Sequence, residues 1–348
     1  MKKLISMVVV VLMVVVLLAG CATPAAEKGD AAASAAAESG KDGKEQITVG
    51  FANYSDADEF CQAIKQDMEQ ACKDAGYKLE YADNKADSVE LVKNLDILIG
   101  KGVDYLVEFN FDAANEPIIK QKADAAGIPV ISVDAEQDGG VFYGVNNKEA
   151  SIPGGEALAK GAQEKWGKEP VDLFLMLYDE TEGEIIKDRA YAFLNGARNV
   201  MDIPDDKVKE VSLHPVDTKT AQEVIAATLT ANPDAKRILI GCENDQAAAG
   251  AVAAVEAANR EDQALVAGSG CDSLGLSLIL QEKPSFLGTV SYAPWNYGKD
   301  MIKLIQKMEA GEKVEDHNYV VTEFVDRTNY EQRAPETLIG DAKKSLGI

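Results

Sequence analysis

Two carboxylates follow apolar segments of the same form, one in each half of the chain. The run 128–134 reads IPVISVD and ends at Asp134, and the run 264–272 reads ALVAGSGCD and ends at Asp272. Each run predicts a buried strand, and in a parallel α/β sheet ligands bind just beyond the carboxyl ends of the strands. An exposed turn would place a carboxylate in the same local pattern. The repetition favours two strand ends that face each other across a cleft.

Amides and a guanidinium accompany these carboxylates. Asn110 and Asn244 follow predicted strands, and Arg189 lies within the predicted helix 184–200. Guanidinium and carboxylate groups both form paired hydrogen bonds, which suits the adjacent hydroxyls of a sugar. The alternative interpretation of Arg189 is a charge on the solvent face of its helix.

Motifs for the common enzyme chemistries are missing from the sequence. The letters GSG at 268–270 are not completed to a phosphate-binding loop, and there is no GxSxG elbow. Neither His214 nor His317 stands beside an evident nucleophile and acid. With two histidines and no CxxC pair, zinc is not expected, and 83–90 lacks the glycine of a calcium loop. We therefore expect no catalytic residue, no metal site and no cofactor.

The net charge excludes one class of partner. The sequence carries a formal charge of −23 at pH 7. Nucleic-acid recognition requires a basic surface, so we expect no nucleic-acid partner. A high net charge of this sign is consistent with a soluble, exported protein.

The first residues have the form of an export signal. Lys2 and Lys3 precede an apolar run that ends in the letters LAGC at 18–21. A positive start, an apolar core and small residues at the cut are typical of a secretory signal. The run is shorter than the roughly 20 residues that a membrane span requires. LAGC resembles a bacterial lipobox, which implies cleavage before Cys21 and lipid attachment to its thiol.

The segment after the signal has few large apolar side chains, so it cannot offset the entropy of ordering. We therefore expect a signal peptide over 1–20 and a flexible tether over 21–46. The expected location is extracytoplasmic, with the protein anchored to the bacterial cell membrane through Cys21.

Apolar strands alternate with amphipathic helices along the rest of the chain. Predicted strands are 47–53, 78–81, 105–109, 130–133, 142–145, 172–177, 208–213, 237–241, 264–269, 287–291 and 319–325. Predicted helices are 60–75, 88–101 with Ser88 as cap, 113–126, 149–165, 184–200, 220–231, 246–258, 274–281 and 294–308. This rhythm predicts parallel sheets with helices on both faces. The tail 333–348 has no assigned element.

A local echo divides the elements into two similar α/β domains. The letters FNFDAA at 109–114 correspond to ENDQAA at 243–248, and each segment follows a predicted strand and opens a helix. The echo favours two domains over one long sheet.

The cysteines after Cys21 predict free thiols. Cys61 and Cys72 lie on one predicted helix, about 16 Å apart, which is too far for a disulfide. Cys242 and Cys271 both follow predicted strands and could form a bridge. Buried free thiols are the default expectation for all four.

The chain after the tether resembles a known family, the ribose- and galactose-type solute-binding proteins of ABC transporters (type I periplasmic binding proteins). The matching segments lie in the same order: 47–60, 76–77, 127–134, 146–147, 188–189, 195–196, 243–245, 270–272 and 288–292. The resemblance implies an α/β fold of two Rossmann-like lobes with parallel sheets, joined by three crossing segments near Val145, Tyr292 and Val320. The implied lobes are 47–145 plus 293–320 and 146–292 plus 321–348.

The resemblance also implies a set of ligand contacts. Nine residues match its binding positions in place or in kind: Tyr54, Asp58, Phe60, Asn110, Asp134, Arg189, Asn244, Asp272 and Tyr292. Phe60 corresponds to an aromatic residue that stacks on the sugar ring. Asp58 stands where asparagine is common, and Ala135 where arginine often follows the strand-end aspartate. Tyr54 and Tyr292 stand where a small polar residue and a glutamine are usual, and Cys61 and Cys271 replace aromatics.

The predicted pocket is therefore acidic. The negative charges of Asp58, Asp134 and Asp272 outnumber the positive charge of Arg189. This excess disfavours an anionic ligand, because an unpaired charge is costly to bury. A neutral sugar or polyol is acceptable, and a cationic amino sugar is better matched.

The resemblance implies a monomeric protein that captures a small sugar, closes by hinge rotation and presents the closed form to an ABC permease in the membrane. A sensory or chemotaxis receptor module with the same fold is one alternative, and a binder of a cationic or nucleoside-like solute is another. An enzyme acting on an exported sugar lacks acid and base candidates beyond generic carboxylates.

Overall fold

The structure, a computed structural model, describes residues 46–135 and 139–348. The predicted signal peptide, most of the tether and Cys21 lie outside the described residues. The strands are β1 Thr48–Asn53, β2 Lys78–Asp83, β3 Tyr105–Phe109, β4 Val130–Val133, β5 Val141–Gly144, β6 Leu173–Tyr178, β7 Val208–Ser212, β8 Ile238–Cys242, β9 Ala264–Gly270, β10 Phe286–Ser291, β11 His317–Tyr319 and β12 Glu323–Asp326. The helices are α1 Glu59–Ala75, α2 Ser88–Gly100, α3 Glu116–Ala126, α4 Asn147–Ala150, α5 Ile152–Trp166, α6 Glu184–Arg198, α7 Thr218–Ala231, α8 Asp245–Ala257, α9 Ser273–Leu280, α10 Tyr297–Glu309, α11 Tyr330–Arg333 and α12 Glu336–Leu346.

The described strands form two six-stranded sheets, one in each lobe. The order in the first lobe is β11-β5-β4-β3-β1-β2, and the order in the second lobe is β12-β10-β9-β8-β6-β7. Neighbouring strands are parallel, except that β12 runs antiparallel to β10. The chain passes between the sheets after β5, after β10 and between β11 and β12. The prediction of two α/β lobes joined by three crossing segments is confirmed.

Helices cover both faces of each sheet. In the first lobe, α1 and α10 pack on one face, and α2 and α3 pack on the other. In the second lobe, α5 and α6 cover one face, and α7, α8, α9 and α12 cover the other. Parallel strands buried on both faces explain why their sequences read as continuous apolar runs.

The predicted cap of α2 is wrong by one residue. Asp87 is the N-cap: its backbone is extended, and its side chain accepts the amides of Val89 and Glu90 at 2.8 Å each. Ser88 is already helical, and its Oγ donates to Asp112. A capping side chain must stand outside the helix to reach these amides, and the local backbone gives that position to Asp87.

The predicted strand 319–325 is also wrong, because the structure divides it between the two sheets. Its start belongs to β11 beside β5, and its end forms most of β12 beside β10. Val321, between them, is 84% exposed. The apolar letters continue through a crossing, so the pattern alone does not show the break.

The unassigned tail 333–348 begins at the last residue of α11 and contains one complete helix, α12. Ile339 and Ala342 in α12 are buried in the core beside α9.

The four cysteines of the described residues, Cys61, Cys72, Cys242 and Cys271, are buried free thiols. None of the helices in the described ranges has the length and apolar character that a membrane crossing requires.

Candidate functional site

A cavity of about 620 Å³ lies between the lobes, beyond the carboxyl ends of strands from both sheets. We call it the interlobe cavity. All nine residues predicted as ligand contacts line it: Tyr54, Asp58, Phe60, Asn110 and Asp134 from the first lobe, and Arg189, Asn244, Asp272 and Tyr292 from the second. The fold therefore brings together all nine residues that the sequence predicts as ligand contacts.

Asp134 is held tightly directly after β4. Its backbone has a φ of 57°, a region that aspartate tolerates better than most residues. Its Oδ1 accepts the amide of Val145 at 2.9 Å, and the hydroxyl of Tyr297 donates to Oδ2 at 3.4 Å. A Cβ at Gly144 would lie 2.2 Å from Oδ1, so only glycine leaves room for this carboxylate. Burial raises the pKa of Asp134, and the charge of Arg189 partly offsets that effect.

Arg189 projects from α6 into the cavity wall and is only 7% exposed. Its Nε donates to Asn147 Oδ1 at 2.8 Å, and its guanidinium carbon lies 5.2 Å from the ring centre of Tyr292. Asn147 and Tyr292 thus orient the guanidinium. Because this group is planar and permanently charged, it is suited to paired hydrogen bonds with a ligand. The interpretation of Arg189 as a solvent-facing charge is wrong.

Aromatic rings form two parts of the wall. Phe60 meets Tyr292 edge to face at 6.2 Å between ring centres, and Tyr297 at 5.7 Å. Tyr54 meets Phe111 in the same way at 4.9 Å. These contacts orient Phe60 and Phe111, so that apolar surface is fixed beside the polar groups of the cavity.

Four nearly fully buried side chains on the cavity wall carry a polar atom without a hydrogen-bond partner among the described residues: Asn84 Nδ2, Asn110 Oδ1, Ser269 Oγ and Tyr292 Oη. Buried polar groups are normally paired, and an unpaired one costs about 1–3 kcal/mol. A ligand with several hydroxyl groups can satisfy these atoms.

Carboxylates outnumber cations around the cavity. Seven acidic residues line it, against one arginine, one histidine and no lysine. Burial raises the pKa values of Asp58 and Asp272, and the charge of Asp245 raises that of Asp272 further. The described residues contain no grouping of three or more metal-ligating side chains that could hold an ion.

Sequence reasoning missed several residues on the wall. Asp179 directly follows β6, where it accepts from Thr181 at 2.7 Å and contacts His214 Nδ1 at 2.8 Å. Burial raises the pKa of Asp179, but the hydrogen bonds from Thr181 and His214 outweigh that effect and lower it. The strand-end rule that found Asp134 applies equally to Asp179. Gln246 lies within the echoed segment ENDQAA, although nothing in that pattern distinguishes it as a contact.

Comparisons with known proteins identify the relatives of this chain. The sequence matches the periplasmic binding protein domain family over residues 49–313. The ribose import binding protein of Bacillus subtilis is 25% identical over 278 residues, which cover 78% of this chain and 85% of that protein. The D-ribose/D-allose-binding protein of Pseudomonas aeruginosa is 29% identical over 241 residues, covering 64% of this chain and 70% of that protein.

Solved structures show the same fold. An ABC transporter periplasmic solute binding protein from Actinobacillus succinogenes, with bound D-allose, has a TM-score of 0.72 at 23% identity, covering 82% of this chain and 99% of that one. A carbohydrate transporter solute binding protein from Agrobacterium radiobacter, in complex with D-arabinose, has a TM-score of 0.71 at 20% identity, covering 84% and 99%. The resemblance inferred from the sequence is confirmed, and the chain is a binding protein and not an enzyme. It belongs to the periplasmic binding protein family.

Proposed function

We propose that this protein is an extracytoplasmic receptor, lipid-anchored through Cys21, that encloses a small sugar or polyol between its lobes and delivers it to an ABC permease. The observation that carries the proposal is the interlobe cavity, whose wall combines aromatic rings with polar atoms that have no partner among the described residues. A sugar offers donors and acceptors to such atoms and an apolar ring face to Phe60.

The relatives support a sugar as the ligand. One curated relative is named for ribose import and another for D-ribose and D-allose, and two structural neighbours hold D-allose and D-arabinose. We infer a monomer with a signal peptide over 1–20, a tether over 21–46, and lobes of 47–145 plus 293–320 and 146–292 plus 321–348. The nine predicted contacts are our proposed binding residues.

Side-chain contacts join the two lobes across the cavity, and they would change in a mechanism of opening and closing. Gln246 Nε2 of the second lobe lies 3.5 Å from Asp58 Oδ2 of the first, and the hydroxyl of Ser273 donates to Glu59. Phe60 and Tyr292 add a ring contact across the cavity. Rotation at the three crossing segments would break these contacts and admit the solute. A solute that touches both lobes then stabilises the closed form that a permease would recognise.

A ligand screen tests the proposal. We expect one or more neutral pentoses, hexoses or polyols to raise the melting temperature of the purified protein, because a ligand that binds only the folded state stabilises it by mass action. At a concentration of 100 Kd the expected gain is about 2.7 kcal/mol. The measurement is a thermal-shift assay with nucleosides and amino sugars as further sets.

The outcomes of the screen distinguish between the candidate ligand classes. A shift with a sugar or polyol that is lost in Arg189→Ala supports both the ligand class and the site. A shift with nucleosides alone would replace the sugar by the nucleoside-like alternative. The absence of any shift across all sets would contradict the proposal.

Replacing the lipidation residue tests the anchor. We expect Cys21→Ala to release the protein from the membrane fraction or to leave an unprocessed precursor, because alanine has no thiol for lipid attachment. The measurement is fractionation together with metabolic labelling by a fatty-acid analogue. Thr23→Ala, two residues away, is the control and should remain labelled and membrane-bound. A Cys21→Ala protein that still carries lipid would refute the anchor.

A further inference from the structure

The N-termini of α1 and α9 meet across the interlobe cavity, and each is capped by an aspartate. Asp58 Oδ1 accepts the amide of Cys61 at 2.9 Å, and Asp272 Oδ1 accepts the amide of Gly275 at 2.9 Å. The second oxygen of each carboxylate faces Gln246, whose Nε2 lies 3.5 Å from Asp58 Oδ2 and 3.3 Å from Asp272 Oδ2. One neutral amide nitrogen therefore bridges two carboxylates from different lobes.

The charges around this bridge are mostly negative. Besides its own burial, the charges of Asp245, Asp58 and Glu59 raise the pKa of Asp272. Asp245 is fully buried, and its Oδ2 accepts the amide of Asp272 at 3.1 Å. Burial raises the pKa of Asp134, and the charge of Arg189, the arginine on the cavity wall, acts to lower it.

Closure on a neutral solute would bury an excess of negative charge, because seven acidic residues and one arginine line the cavity. The N-termini of α1, α8 and α9 provide partial positive charge that favours the ionised carboxylates. Removing water from two carboxylates whose Oδ2 atoms share one neutral side-chain donor remains costly. Either the carboxylates take up a proton on closure, or the solute brings a positive charge.

We propose that the solute carries a protonated amine, which binds between Asp58 and Asp272 beside Gln246. This inference rests on the proposed function and narrows its ligand to amino sugars and amino polyols. An ammonium has three N–H donors and can serve both Oδ2 atoms together with a third acceptor.

The rest of the wall is suited to hydroxyl groups. Ser269 is 1% exposed and Tyr292 is 2% exposed, and each has a hydroxyl without a partner among the described residues. Both line the same cavity as the two aspartates. The wall thus offers carboxylates for a cation and hydroxyls for neutral polar groups.

Matched pairs of compounds test the amine. The full chain is titrated by calorimetry with D-glucosamine and D-glucose, D-galactosamine and D-galactose, and N-methyl-D-glucamine and D-glucitol. The buffer is at about pH 6.5, at which the amines of these compounds are protonated, as is a peptide α-amine with its ordinary pKa of about 7.7–8.0. We expect at least one amine to bind about tenfold or more tighter than its hydroxyl partner, equivalent to about 1.4 kcal/mol.

A single substitution locates the amine. Asp58→Asn removes the charge and keeps a side chain that caps helices equally well. We expect it to abolish the preference for the amine, so that the amine and its hydroxyl partner bind with similar affinities. Asp217→Asn makes the same change at the N-cap of α7, outside the cavity wall, and should alter neither affinity.

The outcomes separate this inference from the function on which it rests. A hydroxyl compound that binds as tightly as its amine partner overturns the amine and leaves sugar binding intact. A preference that survives both Asp58→Asn and Asp272→Asn overturns its location. If none of the six compounds binds, the amine is rejected, and the wider screen of neutral sugars decides the proposed function by itself.

Discussion

Arg189→Ala is expected to abolish solute binding while the protein still folds. The guanidinium is buried in the cavity wall between Asn147 and Tyr292, so alanine removes the paired donors and leaves the cavity without its arginine. Truncating one partner of a buried, charged contact costs roughly 2–5 kcal/mol of binding energy. We therefore expect the affinity to fall by about a hundredfold or more.

Two features of the structure protect the fold of this variant. The apolar side chains of α6, including Ile186 and Phe193, remain in the core. Asp134 loses a counter-charge but can take up a proton, because burial already raises its pKa.

Calorimetry with the solute identified by the screen measures the loss. Arg198→Ala, on the same helix, removes an arginine that bonds Asp205 and the carbonyl of Ile203 outside the cavity, so its affinity should stay at the wild-type value. Full affinity in Arg189→Ala would exclude this residue from the site.

Gly155→Ala is expected to lower the free energy of unfolding by about 3 kcal/mol. Helices α5 and α6 approach so closely that a Cβ at Gly155 would lie 1.9 Å from the carbonyl oxygen of Phe193. On the facing helix, a Cβ at Gly196 would lie 2.2 Å from the carbonyl oxygen of Ile152. The obstacles are backbone atoms, so the helices themselves must separate to admit one methyl group.

Gly340 provides the matched control, because it is an exposed helical glycine in α12 with no atom near its potential Cβ. Gly340→Ala should raise the free energy of unfolding by up to about 1 kcal/mol, since alanine favours helices over glycine. Urea unfolding of both variants gives the comparison. A Gly155→Ala protein as stable as wild type would show that the two helices can move apart freely.

Local patterns in the sequence determined the elements and much of the site. Continuous apolar runs predicted the buried strands, and helical periodicity with glycine stops predicted most helices. Asp134 and Asp272 were identified because strand ends in parallel sheets meet at one edge. These inferences succeed because backbone geometry and burial leave a direct, short-range record in residue type.

Other features were decided only by the tertiary structure. The apolar letters of 319–325 continue through a crossing, and only pairing with two different sheets divides them into β11 and β12. Asp179 was missed because the apolar run 172–177 was taken to end before Tyr178, whereas β6 includes that tyrosine.

The contacts of Gln246 with Asp58 and Asp272 are also decided only by the tertiary structure. The sequence by itself determined which side chains stand at the ends of strands and helices. Which of them face each other, and how much like charge is brought together, depends on how the two sheets approach across the cavity. Contacts between residues so far apart in the chain leave no periodic pattern, so only the three-dimensional packing reveals them.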